Sequence, residues 1–146
     1  MSTNYYFRNK EEYLKINQIN QLVQNKIKDI INEIGSMVRD EDEVQEIKHK
    51  IEQATYMECS LIHIGKRSIG WKPLFKVQKE FSTMNHLQTF YLENKDKYEI
   101  VNEYGEVVGW KDIKTELIAW KGERIHRGSD ILYDEDGYQW AVHEFS

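Results

Sequence analysis

Ser60-Leu61-Ile62-His63-Ile64-Gly65-Lys66-Arg67-Ser68-Ile69-Gly70-Trp71 is the stretch on which the reading of this chain turns. Its first half is apolar and β-prone and breaks at Gly65. Two cations and a hydroxyl follow, and Gly70 and Trp71 close the segment. The pattern predicts a strand over 55–64 that ends at Gly65. A second strand is expected over 71–77, with Trp71, Pro73, Phe75 and Val77 on one face and Pro73 marking an edge or an irregular start. Together they would make a hairpin with an enlarged tip at 65–70.

Upstream, the run Asn4-Tyr5-Tyr6-Phe7 within residues 1–7 reads as a strand rather than a tail. From Lys10 the period changes. Tyr13, Ile16, Ile19, Val23, Ile27, Ile30, Ile34 and Met37 recur at three- or four-residue steps, the narrow stripe of an amphipathic helix near the coiled-coil period. Residues 35–42 mark an end and a restart, with Asp40 or Asp42 as the cap of a second helix. Val44, Ile47, Ile51 and Ala54 continue the stripe. Residues 10–56 are therefore expected to form a helical hairpin inserted in a single domain of residues 1–146. Its apolar edge has three destinations: itself, the core, or a second copy.

Downstream, Ser82 is expected to cap a helix from Thr83 to about Asn94. A short strand, 98–102, turns through Glu103-Tyr104-Gly105-Glu106 to pair back at Val107-Val108. A helix is expected over 110–120, and Asp134-Glu135-Asp136-Gly137 turns a last hairpin between 131–133 and 138–140. Hairpins and helices alternate without βαβ repetition. The expected class is α+β, with a small, mostly antiparallel sheet.

Composition narrows the function. Hydrophobic residues are 40% and charged residues 31% of the 146 residues, as in a soluble globular protein. The net charge of -5 disfavours an extended nucleic-acid surface, which must neutralise many phosphates. Cys59 is alone, so neither an internal disulfide nor a cysteine zinc cluster is expected. No apolar run reaches membrane-spanning length and no signal peptide is seen, which makes a cytoplasmic location the expectation. Nine Tyr and four Trp are many rings for this length, enough to furnish a pocket or interface as well as a core.

In a loop, Lys66 and Arg67 can converge on one anion, whereas in a strand they diverge. Arg67 offers a planar fork, Lys66 a movable charge, Ser68 a hydroxyl, and the glycines a backbone nest. Each charge-assisted hydrogen bond contributes roughly 1.5–3 kcal/mol, and Trp71 can stack on a ring. The segment is not a P-loop, because the upstream glycine is missing. The bland alternative is an exposed basic hairpin tip. His63, amid aliphatic neighbours, is more readily structural than catalytic. Asp134, Glu135, Asp136 and Glu144 could form a metal site with His143, but the first three are explained more simply as turn residues.

Several separated pieces resemble a family of small bacteriophage proteins. Ser2-Thr3-Asn4-Tyr5-Tyr6 resembles its TNYY opening, and His63 to Trp71 resembles its central HIGKSSxGW signature. Glu103-Tyr104-Gly105-Glu106 is similar to its DEYGE turn. Asp136-Gly137-Tyr138 with Glu144-Phe145-Ser146 is similar to its EGY…EFS ending. Arg67 stands where that pattern has serine, and only Cys59 stands where members carry paired cysteines, so no zinc role carries over. The resemblance implies phage origin and expression in the bacterial host cytoplasm.

The expected function is sequestration of a phosphate-containing, nucleotide-derived small molecule, such as a bacterial immune signal, without a cofactor or metal. Expected ligand-binding residues are Asn4, Tyr5, His63, Lys66, Arg67, Ser68 and Trp71. One alternative is an inhibitor that engages a host or defence protein, or a second copy, through residues 10–56. The other is a phosphoesterase with His63 as acid or base.

Overall fold

The computed structural model describes residues 2–146. The fold is α+β, with four helices and a seven-stranded, mostly antiparallel open sheet. The described chain separates into two compact units, residues 11–59 and residues 2–10 with 60–146.

The first of these is built from α1 (Lys10–Met37) and α2 (Glu41–Thr55). Of the two cap candidates, Asp40 holds the position: its side chain accepts from the backbone N–H of Asp42, satisfying a donor the first turn leaves open. Ile27 and Val44 are buried on the facing stripes. The amide of Asn20 clasps Met57 at both backbone groups, at 2.9 and 3.0 Å, so the start of α1 lies beside the end of α2. Leu22, Ile30 and Met37 stay exposed.

The second unit carries β1 (Ser2–Asn9), β2 (Leu61–Ser68), β3 (Leu74–Lys76), β4 (Tyr98–Asn102), β5 (Val107–Val108), β6 (Ile131–Tyr133) and β7 (Gln139–Ala141). Across the sheet the order is β5-β4-β1-β2-β3-β7-β6, and β3–β7 is the parallel pair. The expected strand over residues 1–7 includes Met1, which lies outside the described residues. The helices α3 (Met84–Asn94) and α4 (Trp110–Ile113) pack on one face. Phe7, Ile64, Phe75, Ile100 and Trp140 from the sheet meet Phe81, Met84, Leu87, Ile113 and Leu117 there. Each such side chain contributes about 1.5–3 kcal/mol when fully buried.

Two local expectations are corrected. Thr83, not Ser82, caps α3: its hydroxyl accepts from the His86 N–H at 3.2 Å, while Asp134 accepts from Met84 N–H at 2.9 Å. The helix expected over 110–120 is only one α-turn long before it widens into a π-helical turn, Lys114–Ile118. The Ala119 N–H donates to Lys114 across that wider ring at 2.8 Å. The added residue lets consecutive Leu117 and Ile118 both be buried, where a regular helix would rotate one away.

The largest correction falls on the central stretch. The expected loop at 65–70 is not formed, because β2 continues to Ser68 and only Ile69 and Gly70 turn. Gly65 is a strand residue between two partners, Tyr5 on β1 and Phe75 on β3. A Cβ at Gly65 would stand 2.5 Å from the Leu74 carbonyl oxygen and 3.1 Å from the Phe75 Cα. The glycine therefore marks close backbone approach within a sheet, not a chain reversal.

Gly65→Ala is expected to lower unfolding free energy by about 1–3 kcal/mol through that overlap. Gly35→Ala, in open space on α1, is expected to leave stability unchanged or to raise it by up to about 1 kcal/mol. Denaturant titration of both variants reads the contrast.

Candidate functional site

Register decides where the candidate residues point. Tyr5 pairs with Gly65 but Tyr6 pairs with His63, so Ile64 is an extra residue in β2 and the ladder bulges there. Ile64 and Gly65 both fall on the core side. Beyond the bulge the alternation is inverted: Lys66, opposite Asn4, joins the His63 face, and Arg67, opposite Thr3, joins the Tyr5 face. Lys66 and Arg67 thus lie on opposite faces of the sheet and do not clamp one anion.

The face away from α3 and α4 is a polar layer. Asn4, Arg8, His63, Lys76 and Gln139, the buried polar and charged residues among those described, all fall on it by register. Arg8 is paired with Glu99 at 2.9 Å, as burial of a guanidinium requires. His63 Nε2 lies 2.9 Å from Asn4 Oδ1, an acceptor, so Nε2 carries the proton. The backbone N–H of Asn4 in turn donates to Glu103 at 3.0 Å. The His63 ring stacks on Tyr6 at 4.8 Å and meets Phe145 at 4.6 Å. Its Nδ1 stands 3.8 Å from the Glu144 carboxylate, which also lies 3.7 Å from Lys76 Nζ. Burial holds the His63 pKa below its usual range, against the opposing pull of Glu144. Lys66 Nζ donates to the Ser146 carbonyl at 3.1 Å and sits 5.3 Å from the Phe145 ring centre.

Tyr5 is sealed in the core. Its hydroxyl donates to Glu116 at 3.2 Å, and burial foremost pushes its pKa up to about 12. It has no free ring face for stacking. Arg67 lies over the Trp120 ring at 4.8 Å and reaches the Glu116 carbonyl at 3.5 Å. The Ser68 carbonyl accepts from the Trp120 indole N–H at 3.1 Å. Trp71 is stacked on His126 at 5.0 Å, with Arg124 at 5.7 Å from the indole. The seven expected residues therefore divide three ways: Asn4, His63 and Lys66 on the polar face, Tyr5 in the core, and Arg67, Ser68 and Trp71 beside Trp120 and His126.

Arg67 and Ser68 brace the wall of a cleft that sequence reading missed. It measures about 350 Å³, and Lys72, Trp120, Lys121, Gly122, Asp136 and Tyr138 are among its lining residues. Small-ligand sites commonly run from about 300 to 1,000 Å³. Neither Lys72 nor Lys121 is in an ion pair among the described residues, and both are exposed. The wall is placed by a close approach. Lys72 N–H donates to the Arg124 carbonyl and Arg124 N–H to that of Gly70, at 2.8 and 3.0 Å. Any side chain at Gly122 would overlap the Trp71 backbone.

Two other cavities suit an anionic ring less well. A groove of about 360 Å³ within residues 11–59 is lined by Asn17, Asn20, Gln24 and Glu52 and carries no cation. One of about 220 Å³ is lined by Lys10, Lys95, Tyr91, Tyr98 and Trp110, but it is smaller, Tyr91 and Trp110 are stacked on each other at 4.2 Å, Lys10 Nζ donates to the Lys95 carbonyl, and Glu99 adds a carboxylate to its wall. Among the described residues no group of three or more His, Cys, Asp or Glu is arranged to hold a metal. Asp134 instead receives four hydrogen bonds, from the N–H groups of Met84, Asp136 and Tyr138 and the Trp140 indole, at 2.9–3.0 Å. No described helix is long and apolar enough to cross a membrane. Comparison with protein-family models, curated proteins and solved structures finds no match to this chain.

Burial lowers the pKa of both His63 and His126 in the folded chain, whereas the unfolded residues titrate near 6.5. Below pH 6.5 the unfolded state therefore holds more protons, and stability falls with falling pH, by at most about 1.4 kcal/mol per pH unit for each histidine. Urea titrations between pH 7.5 and 5.5 are expected to show that slope, and His63→Gln to reduce it. A slope unchanged in His63→Gln would refute the assignment.

Proposed function

We propose that the chain binds and sequesters a phosphate-bearing, nucleotide-derived small molecule in the cleft between Trp120 and Tyr138. The observation that carries this reading is the pairing of two uncommitted lysines, Lys72 and Lys121, with two rings around one cavity of about 350 Å³. Each lysine is a movable charge suited to phosphate, and base–aromatic stacking contributes about 1–3 kcal/mol. The central stretch acts here as a brace, with Arg67 over one face of Trp120 and the Ser68 carbonyl fixing the indole N–H. The resemblance of residues 63–71 and of the chain's two ends to a phage family favours a bacterial nucleotide signal as the ligand. Binding without turnover is preferred because His63, the histidine singled out as acid or base, has Nε2 committed to Asn4 and its ring covered on two sides.

A second reading is a protein partner held by residues 11–59. It is favoured by Leu22, Ile30 and Met37, which leave apolar surface along α1 exposed.

Thermal stability measured against ADP-ribose and linear and cyclic nucleotides tests the first reading. A ligand at a hundredfold excess over its Kd adds about 2.7 kcal/mol to apparent stability. Lys72→Glu combined with Lys121→Glu is expected to remove the shift while leaving the unliganded melting temperature close to wild type. Lys66→Glu alone is expected to leave the shift intact. Ligand released on denaturation is expected to be chemically unchanged. A shift that survives the Lys72/Lys121 double substitution would place the ligand elsewhere.

A further inference from the structure

Residues 143–146 follow β7 and lie over the polar face of the sheet. They make no backbone-to-backbone hydrogen bond among the described residues; the last such anchor is Val142 N–H to the Asp130 carbonyl, at 3.0 Å. Side-chain contacts hold the segment instead: His143 Nδ1 lies 3.5 Å from the Asp130 carboxylate, and residues 144–146 make three chemically different contacts with the sheet. The Glu144 carboxylate lies between Lys76 and His63, at 3.7 and 3.8 Å. The Phe145 ring packs on His63, which is itself stacked on Tyr6, and Lys66 stands 5.3 Å from its centre. Lys66 Nζ then binds the main-chain carbonyl of Ser146. A carboxylate, a ring and a peptide carbonyl are the determinants of an extended acidic–aromatic peptide. With the segment seated, the side chains of Lys76 and His63 are 9% and 6% exposed, whereas that of Glu144 is 76% exposed. The receptor residues all sit on strands, Tyr6 on β1, His63 and Lys66 on β2 and Lys76 on β3, whereas residues 143–146 lie outside any strand.

We propose that this patch of Tyr6, His63, Lys66 and Lys76 is a peptide-recognition site for a partner segment carrying Glu-Phe, and that residues 144–146 occlude it in the unbound chain. It shares no residue with the Trp120–Tyr138 cleft and does not rest on that reading. Occlusion lowers the apparent affinity for an external peptide by the fraction of time the site is open, about ten- to a hundredfold for a segment seated 90–99% of the time.

The test is fluorescence polarisation with a labelled peptide of sequence Val-His-Glu-Phe-Ser and the 146-residue chain. The double variant Glu144→Gln/Phe145→Ala, which empties the site, is expected to bind at least tenfold more tightly than wild type. The same peptide with Ala in place of Phe is expected not to bind. Adding Lys66→Ala to the emptied variant, at the solvent-accessible rim where folding is not at stake, is expected to weaken binding at least fivefold. Adding Lys76→Ala is expected to weaken it further, with circular dichroism checking the fold. Equal affinity for wild type and the emptied variant would overturn the occlusion. No binding to the emptied variant at millimolar protein, or binding indifferent to both lysines, would overturn the site itself.

Discussion

The approach of three backbones at Gly65 is the constraint from which the arrangement of this molecule follows. Among the described residues β2 joins β1 and β4 to β3 and β7, so the sheet is continuous only if β2 is paired on both sides at once. At Gly65 that requirement leaves 2.5 Å between a would-be Cβ and the Leu74 carbonyl, a space only glycine fits. The bulge at Ile64 lies immediately before it. One extra residue there keeps both Ile64 and Gly65 on the core side, and so sets Lys66 on the polar face with His63 and Arg67 on the face of Tyr5.

On the core face, close-packed aromatic and aliphatic side chains supply the non-directional part of the stability. On the other face, buried polar groups are tolerated because each has a partner: Arg8 with Glu99, His63 with Asn4, Gln139 with the His126 backbone. No described buried side-chain nitrogen or oxygen lacks a hydrogen bond. The Gln139 amide both donates to His126 O and accepts from His126 N–H, and that histidine stacks on Trp71. Through this chain of contacts the polar layer extends to the segment that frames the cleft. Removing one partner would leave a buried group unsatisfied, so these pairs specify the geometry more than they add net stability.

Much of the fold was legible in the sequence because periodicity reports burial. The apolar steps from Tyr13 to Met37 and the Asp134–Gly137 turn marked α1 and the last hairpin, and the absence of βαβ repetition gave the α+β class. What could not be read was register. Gly65 followed by Lys66 and Arg67 looks the same in a turn and in a bulged central strand, since the difference lies in the long-range partners Tyr5 and Phe75. The cleft was missed for the same reason. Lys72, Trp120 and Tyr138 are far apart in the chain, and long-range hydrogen bonds bring their segments together: Gly70 and Lys72 with Arg124, Ser68 with Trp120, and Gln139 with His126. The one local hint was Lys121-Gly122 directly after Trp120, which reads as a helix end. The π-helical turn was equally silent, because Trp110, Ile113 and Leu117 already satisfy the spacing of a regular helix in sequence.

In the proposed mode of binding, Trp120, braced by Arg67 and Ser68, is the ring that meets the ligand. Proton–nitrogen correlation spectra during a titration with ADP-ribose or a cyclic nucleotide test it most directly. Four indole N–H signals report Trp71, Trp110, Trp120 and Trp140 separately. The Trp120 signal is expected to move most and Trp71 less, while Trp110 and the core residue Trp140 stay in place. A titration in which Trp110 moves while Trp120 does not would contradict it.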